Sequence, residues 1–261
     1  MSPMQKYLAE VEDLLDRLYI ATEGAGLRQE DRRKAWEVAA MLEEVERAAS
    51  RFSRRSTLLL VDAAAGKSYV GLLAAKLILD TAGCQASVIT IERDPHRVEA
   101  SRRAAERLGT TIPIECRAAS VEEAAAWPPQ PSIITALHAC GDAADAIIGR
   151  TIACSARTLL LVPCCTSDAV TASLQARAHA DALGIPRHAP VRRRFIQSVI
   201  DAERTWRLEA AGYETEVVEF VAPTITPHNL LWRARLVGES RRMAAAKNAW
   251  TRLMKTETNP R

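Results

Sequence analysis

The order of apolar and polar positions divides the chain into a helical start, a middle in which strands and helices alternate, and a helical end. Apolar residues spaced three and four positions apart predict amphipathic helices over residues 4–18 and 31–49. We expect Asp31 to be the N-cap of the second helix. Nothing in these two helices is typical of catalysis, so we expect them to cover the sheet or part of a substrate cleft.

Short apolar runs and helical periods alternate from residue 57 onward. Five of these runs predict strands, over residues 58–61, 88–91, 112–116, 132–137 and 157–162. A loop-rich helical region follows over 168–208, then two strands over 214–221 and 230–236, and a basic helix over 239–255. This alternation predicts an α/β fold with a doubly wound, mostly parallel sheet.

The strand over 58–61 and the loop after it are the stretch around which the middle of the chain is organised. Asp62 ends the apolar run, and the loop over 63–68 consists mostly of small residues, so its backbone can turn tightly and a ligand can approach it closely. A helix follows from Tyr69. The next strand ends at Glu92, where an acid can accept the hydroxyl groups of a ribose. The pattern indicates a site for an adenosine-type cofactor, although the same elements occur in α/β proteins that bind none.

Composition limits the class of protein. Apolar residues make up 48% and charged residues 26% of the 261 positions, as is typical of soluble globular proteins. No apolar run is long enough to span a membrane, and the start of the chain lacks the pattern of a signal peptide. We therefore expect a cytoplasmic protein without membrane contact, and a monomer by default.

Cysteine spacing and charge narrow the chemistry further. None of the six cysteines forms a Cys-x-x-Cys pair, so we expect reduced thiols and neither a zinc ribbon nor a thioredoxin-type motif. The net charge of +3 is too small to indicate a nucleic-acid partner by itself. Basic residues cluster at 32–34, 54–55, 192–194 and 241–242, which fits either solvated faces or contacts with phosphate groups.

The ends of the fourth and fifth predicted strands carry most of the reactive side chains. His138, Cys140 and Asp142 follow the fourth strand, at the position where sheets of this kind bind ligands. A plain turn with Asp142 as a helix cap is the alternative interpretation. The fifth strand ends in Pro163-Cys164-Cys165. A cysteine nucleophile, Cys140 or Cys164 with His138, is the rival enzyme hypothesis, and we predict no metal site.

Two later segments are also polar. Charged residues between 194 and 207 predict a surface helix with ion pairs between neighbouring turns, among them a pair of Glu203 with Arg207. Residues 226–229 precede the last strand and are typical of a polar turn.

Together these stretches resemble the class I S-adenosylmethionine-dependent methyltransferases. The closest likeness is to the methyltransferase-domain family that includes the eukaryotic tRNA 2′-O-methyltransferase of the acceptor stem. It spans about residues 31–237 and rests on Asp62-Ala-Ala-Ala-Gly66-Lys-Ser-Tyr69, Leu137-His-Ala-Cys-Gly-Asp142, Pro163-Cys-Cys165 and Thr226-Pro-His-Asn229. The segment Arg33-Lys34-Ala-Trp-Glu37 is similar to a basic-basic-x-aromatic-Glu element of the family.

The sequence departs from the family pattern at two places. The family loop usually has the pattern Gly-x-Gly-x-Gly, whereas Ala64 and Ser68 replace its first and last glycines here. Thr166 follows the cysteine pair where the family often has histidine. The small loop residues preserve space for a cofactor, and the threonine weakens a metal or histidine-base role for that segment.

The resemblance implies a Rossmann-like, doubly wound, mostly parallel seven-stranded sheet whose last strand is antiparallel. We expect a helical N-terminal extension over 1–52, the methyltransferase domain over 53–238 and a basic C-terminal helix over 239–261. The resemblance assigns binding of S-adenosylmethionine to Asp62, Ala63, Ala64, Gly66, Tyr69, Glu92, Arg93, His138 and Ala139. Catalytic candidates are His138 and Asp142. Substrate-binding candidates are Cys140, Cys164, Arg194, His228 and Asn229.

These expectations describe an enzyme that transfers a methyl group from S-adenosylmethionine in one in-line displacement. RNA is the expected acceptor, with residues 192–194 and the C-terminal helix as phosphate contacts. A protein or small-molecule acceptor stays open. A binding or scaffold protein that has lost catalysis is the alternative from a different class, and the substituted loop motivates it.

Overall fold

The computed structural model of the chain describes residues 6–21, 24, 26–165, 170 and 172–255. The expectations for residues 1–5, for Thr166 and for residues 256–261 lie outside this range.

Eight α-helices occur in the described part of the chain: α1 (Leu8–Leu15), α2 (Gln29–Ala49), α3 (Tyr69–Ala74), α4 (Pro95–Leu108), α5 (Ala143–Ala153), α6 (Ser173–Ala182), α7 (Ala189–Ala210) and α8 (Ser240–Met254). Helix α1 continues as a π-helical turn over Asp16–Ile20, and α3 does so over Ala75–Leu79. A short 3-10 turn lies at Ala124–Ala126. None of the helices in these ranges has the length and apolarity needed to cross a membrane.

Seven strands form one sheet: β1 (Leu58–Ala63), β2 (Ala86–Glu92), β3 (Ile114–Ala118), β4 (Ile133–Cys140), β5 (Thr158–Cys165), β6 (Tyr213–Glu219) and β7 (Leu230–Leu236). Their order across the sheet is β3-β2-β1-β4-β5-β7-β6. Strand β7 is antiparallel to both of its neighbours, and the other pairs are parallel. The Rossmann-like, mostly parallel seven-stranded sheet is therefore confirmed, including its antiparallel last strand.

The strand order creates one edge at which ligands bind in folds of this kind. It reverses direction between β1 and β4, which are direct neighbours. We call the edge where β1, β2, β4 and β5 end the carboxyl edge, and the opposite one the amino edge. Because β7 runs the other way, the residues just before it also lie at the carboxyl edge. Open α/β sheets bind ligands beside such a reversal.

Two apolar layers cover the faces of the sheet. Helices α1 and α2 bury their apolar stripes against one face, where Leu60 of β1 is fully buried. Val61, the next residue of β1, belongs to the core on the other face, with Ile147 of α5 and Trp232 of β7. The alternation along β1 shows why its whole run is apolar, since both faces are covered.

Some element ends differ from the sequence predictions. Helix α2 begins at Gln29, and Asp31 lies inside its first turn, where Oδ2 accepts a hydrogen bond of 2.8 Å from the backbone N–H of Arg28. The N-cap expected at Asp31 is therefore wrong. Strands β4 and β5 extend to Cys140 and Cys165, three residues beyond their apolar runs, because their ladder continues past a register shift after Leu137.

Candidate active site

The loop after β1 holds three residues in the left-handed backbone conformation. Their φ angles are +52° at Ala64, +60° at Gly66 and +58° at Ser68. They occupy the three positions of the Gly-x-Gly-x-Gly pattern, and glycine adopts this conformation without the steric cost that other residues incur. A Cβ atom built on Gly66 would meet no atom within 4 Å. The loop therefore turns tightly and leaves open space in front of Gly66.

Glu92 connects this loop to the end of β2 by hydrogen bonds. Its Oε2 accepts a hydrogen bond of 2.8 Å from the backbone N–H of Gly66, and its Oε1 accepts one of 2.9 Å from the N–H of Asp94. The residue is only 7% exposed. Each carboxylate oxygen has a second lone pair and can accept another hydrogen bond. Arg93, beside it, is exposed.

Asp62 lies beneath the loop as a buried carboxyl group. Its Oδ2 accepts a hydrogen bond of 2.8 Å from the N–H of Gly71, and its Oδ1 lies 3.3 Å from the donating hydroxyl of Thr135. Burial raises the pKa of Asp62 to about 7, although both hydrogen bonds act in the opposite direction. A Cβ at Gly71 would lie only 3.0 Å from the Cβ of Asp62. This carboxyl group thus ties β1 to the first turn of α3 through a close approach that requires glycine.

The N-terminal helices cover one side of the loop. The hydroxyl of Tyr19 donates a hydrogen bond of 2.8 Å to the carbonyl oxygen of Lys67, and its ring meets that of Tyr69 edge to face at 4.8 Å. Burial raises the pKa of Tyr19 well above its usual value. Sequence reasoning missed Tyr19, whose only signal is its place at the end of the first apolar stripe.

The end of β4 presents His138 in a strained conformation. Its φ angle is +63°, which is rare for a residue with a side chain, and the register between β4 and β5 shifts at this point. The Nε2 atom of His138 lies 2.9 Å from Oε2 of Glu37 in α2, and the Nζ atom of Lys34 lies 3.0 Å from the same oxygen. Strained residues cluster at functional sites. Helix α2 and strand β4 thus join in one polar cluster.

Glu37 is the anionic centre of this cluster. Its side chain is only 8% exposed. Burial alone would raise the pKa of Glu37, but the hydrogen bond with His138 and the charge of Lys34 outweigh burial and leave the pKa below its ordinary value. The sequence predicts that these helices cover the sheet or part of a substrate cleft, and α2 places Glu37 against His138 at the end of β4. The signal that could have identified Glu37 is the segment Arg33-Lys34-Ala-Trp-Glu37.

The remaining residues predicted near the cofactor lie in different surroundings. Ala63 and Ala139 are fully buried in the core, so only their backbone faces the carboxyl edge. Asp142 precedes α5 and is exposed, and its side chain forms no capping hydrogen bond. Asp142 therefore occupies the N-cap position of α5, as the alternative interpretation expects, although its side chain forms no capping hydrogen bond.

Cys140 and Cys164 form a disulfide between the ends of β4 and β5. Both sulfur atoms lie near the carbonyl oxygen of His138, at 3.5 Å and 3.6 Å. The expectation of reduced thiols is wrong for this pair, because neighbouring parallel strands bring two distant cysteines together. Neither sulfur of a disulfide is a nucleophile, which removes the rival cysteine hypothesis for this state. The described residues contain no cluster suited to a metal ion.

A cleft of about 740 Å³ opens beside the disulfide. Pro163 of β5, which is in register with Ala139 of β4, lines it. Three of the predicted substrate-binding residues line it together, namely Arg194, His228 and Asn229. Arg193 and Trp232 also line it. We call this the acceptor cleft. Chain reversal at β7 explains why residues so distant in sequence meet here.

The family model described as a methyltransferase domain matches residues 33–171. Among curated proteins, no sequence matches the chain.

Three solved structures illustrate the structural likeness. Magnesium protoporphyrin IX methyltransferase from Synechocystis PCC 6803, with bound SAH, is 14% identical at a TM-score of 0.48, covering 88% of this chain and 95% of that one. The SAH-bound methyltransferase PaMTH1 of Podospora anserina is 12% identical, with a TM-score of 0.48, and the likeness covers 90% of this chain and 89% of that one. A dimethyladenosine transferase from Plasmodium falciparum is 11% identical, with a TM-score of 0.48, and the likeness covers 82% of this chain and 66% of that one.

Proposed function

Because the chain belongs to the methyltransferase-domain family, we propose that it transfers a methyl group from S-adenosylmethionine to RNA. The observation that carries the proposal is the cradle at the carboxyl edge. The left-handed turn at Gly66 and the carboxylate of Glu92 form it, and the cluster of Glu37 and His138 lies one strand away.

The cradle suits the shape and chemistry of the cofactor. Open space in front of Gly66 admits a ligand close to the backbone. The free lone pairs of Glu92 are suited to ribose hydroxyl groups. Tyr69, at the start of α3, borders the loop and is assigned to the methionine side. When bound, S-adenosylmethionine supplies a methyl group activated by a positively charged sulfur.

His138 is proposed as the base that removes a proton from the acceptor. A neutral imidazole that donates from Nε2 to Glu37 has Nδ1 free to accept a proton. Glu37 then orients the ring and stabilises the imidazolium ion that forms, while Lys34 holds Glu37 ionised. Correct placement of the acceptor next to the methyl group supplies the rest of the rate enhancement. Asp142, exposed at the same edge, is the second candidate for this proton transfer.

RNA is proposed as the acceptor because of the charge along the acceptor cleft. Arg193 and Arg194 are exposed there, and guanidinium groups bind phosphate oxygens in a planar, two-point geometry. His228 is exposed on the opposite wall, and Arg192 is held by Asp181 at 2.8 Å. Helix α8 packs beside α7 and would add further phosphate contacts.

Transfer of labelled methyl groups from S-adenosylmethionine to total RNA and to total protein tests the proposal. We expect label in RNA. The Glu37→Gln variant should reduce the rate by about a hundredfold, the lower range for proton-transfer catalysis, without changing S-adenosylmethionine binding. Glu30→Gln, an exposed carboxylate on the same helix, is the matched control and should retain the wild-type rate.

Two results would contradict the proposal. Label confined to the protein fraction would replace RNA with a protein acceptor. A Glu37→Gln variant as fast as wild type on RNA would remove the proposed role of the pair of Glu37 and His138.

A further inference from the structure

The amino edge of the sheet carries a second cleft. Arg51, Phe52, Arg157 and Arg235 line it, with a volume of about 600 Å³, and we call it the amino-edge cleft. It opens where β5 begins, and the eight residues of β5 span about 23 Å to the carboxyl edge. The amino-edge cleft is therefore separate from the candidate active site.

The lining of this cleft is basic and rich in hydroxyl groups. Among the described residues it includes three arginines and no carboxylate. Hydroxyl groups come from Ser53, Ser56 and Thr158. Arg235 reaches out of the cleft to Glu214, with which it forms an ion pair at 2.5 Å. Guanidinium and hydroxyl donors without an acid are the donor set that binds phosphate oxygens.

Several guanidinium groups here have no carboxylate partner. In the described ranges, ion pairs and side-chain hydrogen bonds are absent for the exposed side chains of Arg54, Arg55 and Arg157. Arg51 is also exposed, and it interacts electrostatically with Glu214. Arg233 of β7 is the contrast, because it binds Glu44 through two hydrogen bonds of 2.7 Å and 2.8 Å. Arg157 in the cleft, and Arg54 and Arg55 in the loop beside it, are therefore available to an external anion.

Arg157 and Phe52 form a cation–π pair within this cleft. The guanidinium carbon of Arg157 lies 5.9 Å from the centre of the Phe52 ring. Arginine planes and aromatic rings are the surfaces on which unpaired bases stack. An acidic peptide would use the charges but not this pair.

We propose that the amino-edge cleft binds the phosphate backbone of single-stranded RNA. The charges come from the loop after α2, from the start of β5 and from the end of β7, so they are spread over three segments and are not a single point. Such a spread of charge fits a polymer of phosphates better than a small anion. The site goes beyond the proposed methyl transfer, because it lies at the edge away from the candidate active site.

The test is fluorescence anisotropy with a labelled single-stranded RNA of about 20 nucleotides, longer than a single binding site of this type. The triple variant Arg51→Gln, Arg54→Gln, Arg157→Gln should bind at least tenfold more weakly. Its plot of log affinity against log salt should be shallower by about 2, since three phosphate contacts are lost. The matched control, Arg97→Gln, Arg102→Gln, Arg103→Gln on exposed α4, should change neither quantity.

Circular dichroism and S-adenosylmethionine titration of the same variants keep this test separate from the proposed function. A triple variant that is folded, binds S-adenosylmethionine and has lost RNA binding supports the proposal that RNA binds in the amino-edge cleft. Wild-type RNA affinity in the triple variant would overturn the proposal. Polyglutamate that displaces RNA from the wild-type protein at equal charge concentration would also overturn it, in favour of an acidic protein partner.

Discussion

Asp62 illustrates how one buried residue connects sequence, stability and site. The sequence identified it as the acid that ends the first strand, and the structure uses its carboxyl group to join Gly71 and Thr135 beneath the loop. Its role toward a cofactor stays a prediction. No pattern of apolar positions could reveal this hydrogen bonding, because it depends on how closely α3 packs against β1.

The pKa of Asp62 predicts a pH dependence of stability. Between about pH 4 and pH 7 the folded protein keeps a proton that the unfolded chain has released, so stability falls as the pH rises through this window. Asp62→Asn preserves the shape and removes the titration. As the pH rises across this window, the free energy of unfolding of the variant minus that of the wild type should increase by up to about 4 kcal/mol.

Chemical denaturation of both proteins at several pH values measures the difference. It should grow between pH 4 and pH 7 and stay constant above. A difference that does not change with pH would show that Asp62 ionises in the folded protein as it does in the unfolded chain.

The loop residues Ala64 and Ser68 lead to a second prediction at this scale. Both adopt positive φ angles, which disfavour residues with a Cβ atom. Ala64→Gly and Ser68→Gly should each stabilise the protein by about 0.5–1 kcal/mol. The hydroxyl of Ser68 is buried without a partner, so its loss adds to the gain.

Ala65 is the matched control, because it lies between these positions and does not have a positive φ angle. Ala65→Gly should destabilise the protein, since it only adds freedom to the unfolded chain. Thermal unfolding distinguishes the cases. Loss of stability in all three variants would contradict the argument from backbone strain.

At the scale of elements, helices and strands followed from periodicity, whereas their polar contacts did not. The bounds predicted for β7 are those of the structure, because a run rich in apolar residues marks this strand. The pair of Glu37 with His138 could be found only by folding, since a hundred residues separate its members. The same is true of the disulfide.

Helices α5 and α7 meet at a buried ionic cluster that the sequence suggested was a surface feature. Arg204 is fully buried, and its Nε atom donates a hydrogen bond of 3.1 Å to Oδ1 of Asp145, which also accepts one of 2.7 Å from Arg207. The predicted pair of Glu203 with Arg207 is present at 3.4 Å. However, Glu203 is buried, so the expected surface position is wrong.

This cluster predicts an asymmetry between its partners. Asp145→Ala leaves Arg204 buried near Asp201 and Glu203 but without the carboxylate to which it is hydrogen-bonded, and should destabilise the protein by about 3 kcal/mol or more. Arg204→Met should cost less, because Asp145 keeps its hydrogen bond from Arg207 and because two buried nitrogen atoms of Arg204 that form no hydrogen bond are removed. Urea denaturation measures both. Equal losses in the two variants would contradict this reasoning.

At the scale of the whole molecule, the alternation of strands and helices and the family resemblance were enough to predict the topology. They also predicted that the ends of β1, β2 and β4 share one edge. The two clefts could not be predicted, because each is assembled from segments that only the sheet order brings together. Arg51, Arg157 and Arg235, for example, are three isolated residues in the sequence and one surface in the fold.

Calorimetric titration of the purified protein with S-adenosylmethionine tests the central claim most directly. We expect micromolar binding, at least tenfold weaker in Glu92→Gln, because an amide cannot accept hydrogen bonds from both Gly66 and Asp94. Glu99→Gln, an exposed carboxylate on α4, should bind like wild type. A folded protein that binds neither S-adenosylmethionine nor S-adenosylhomocysteine would contradict the account.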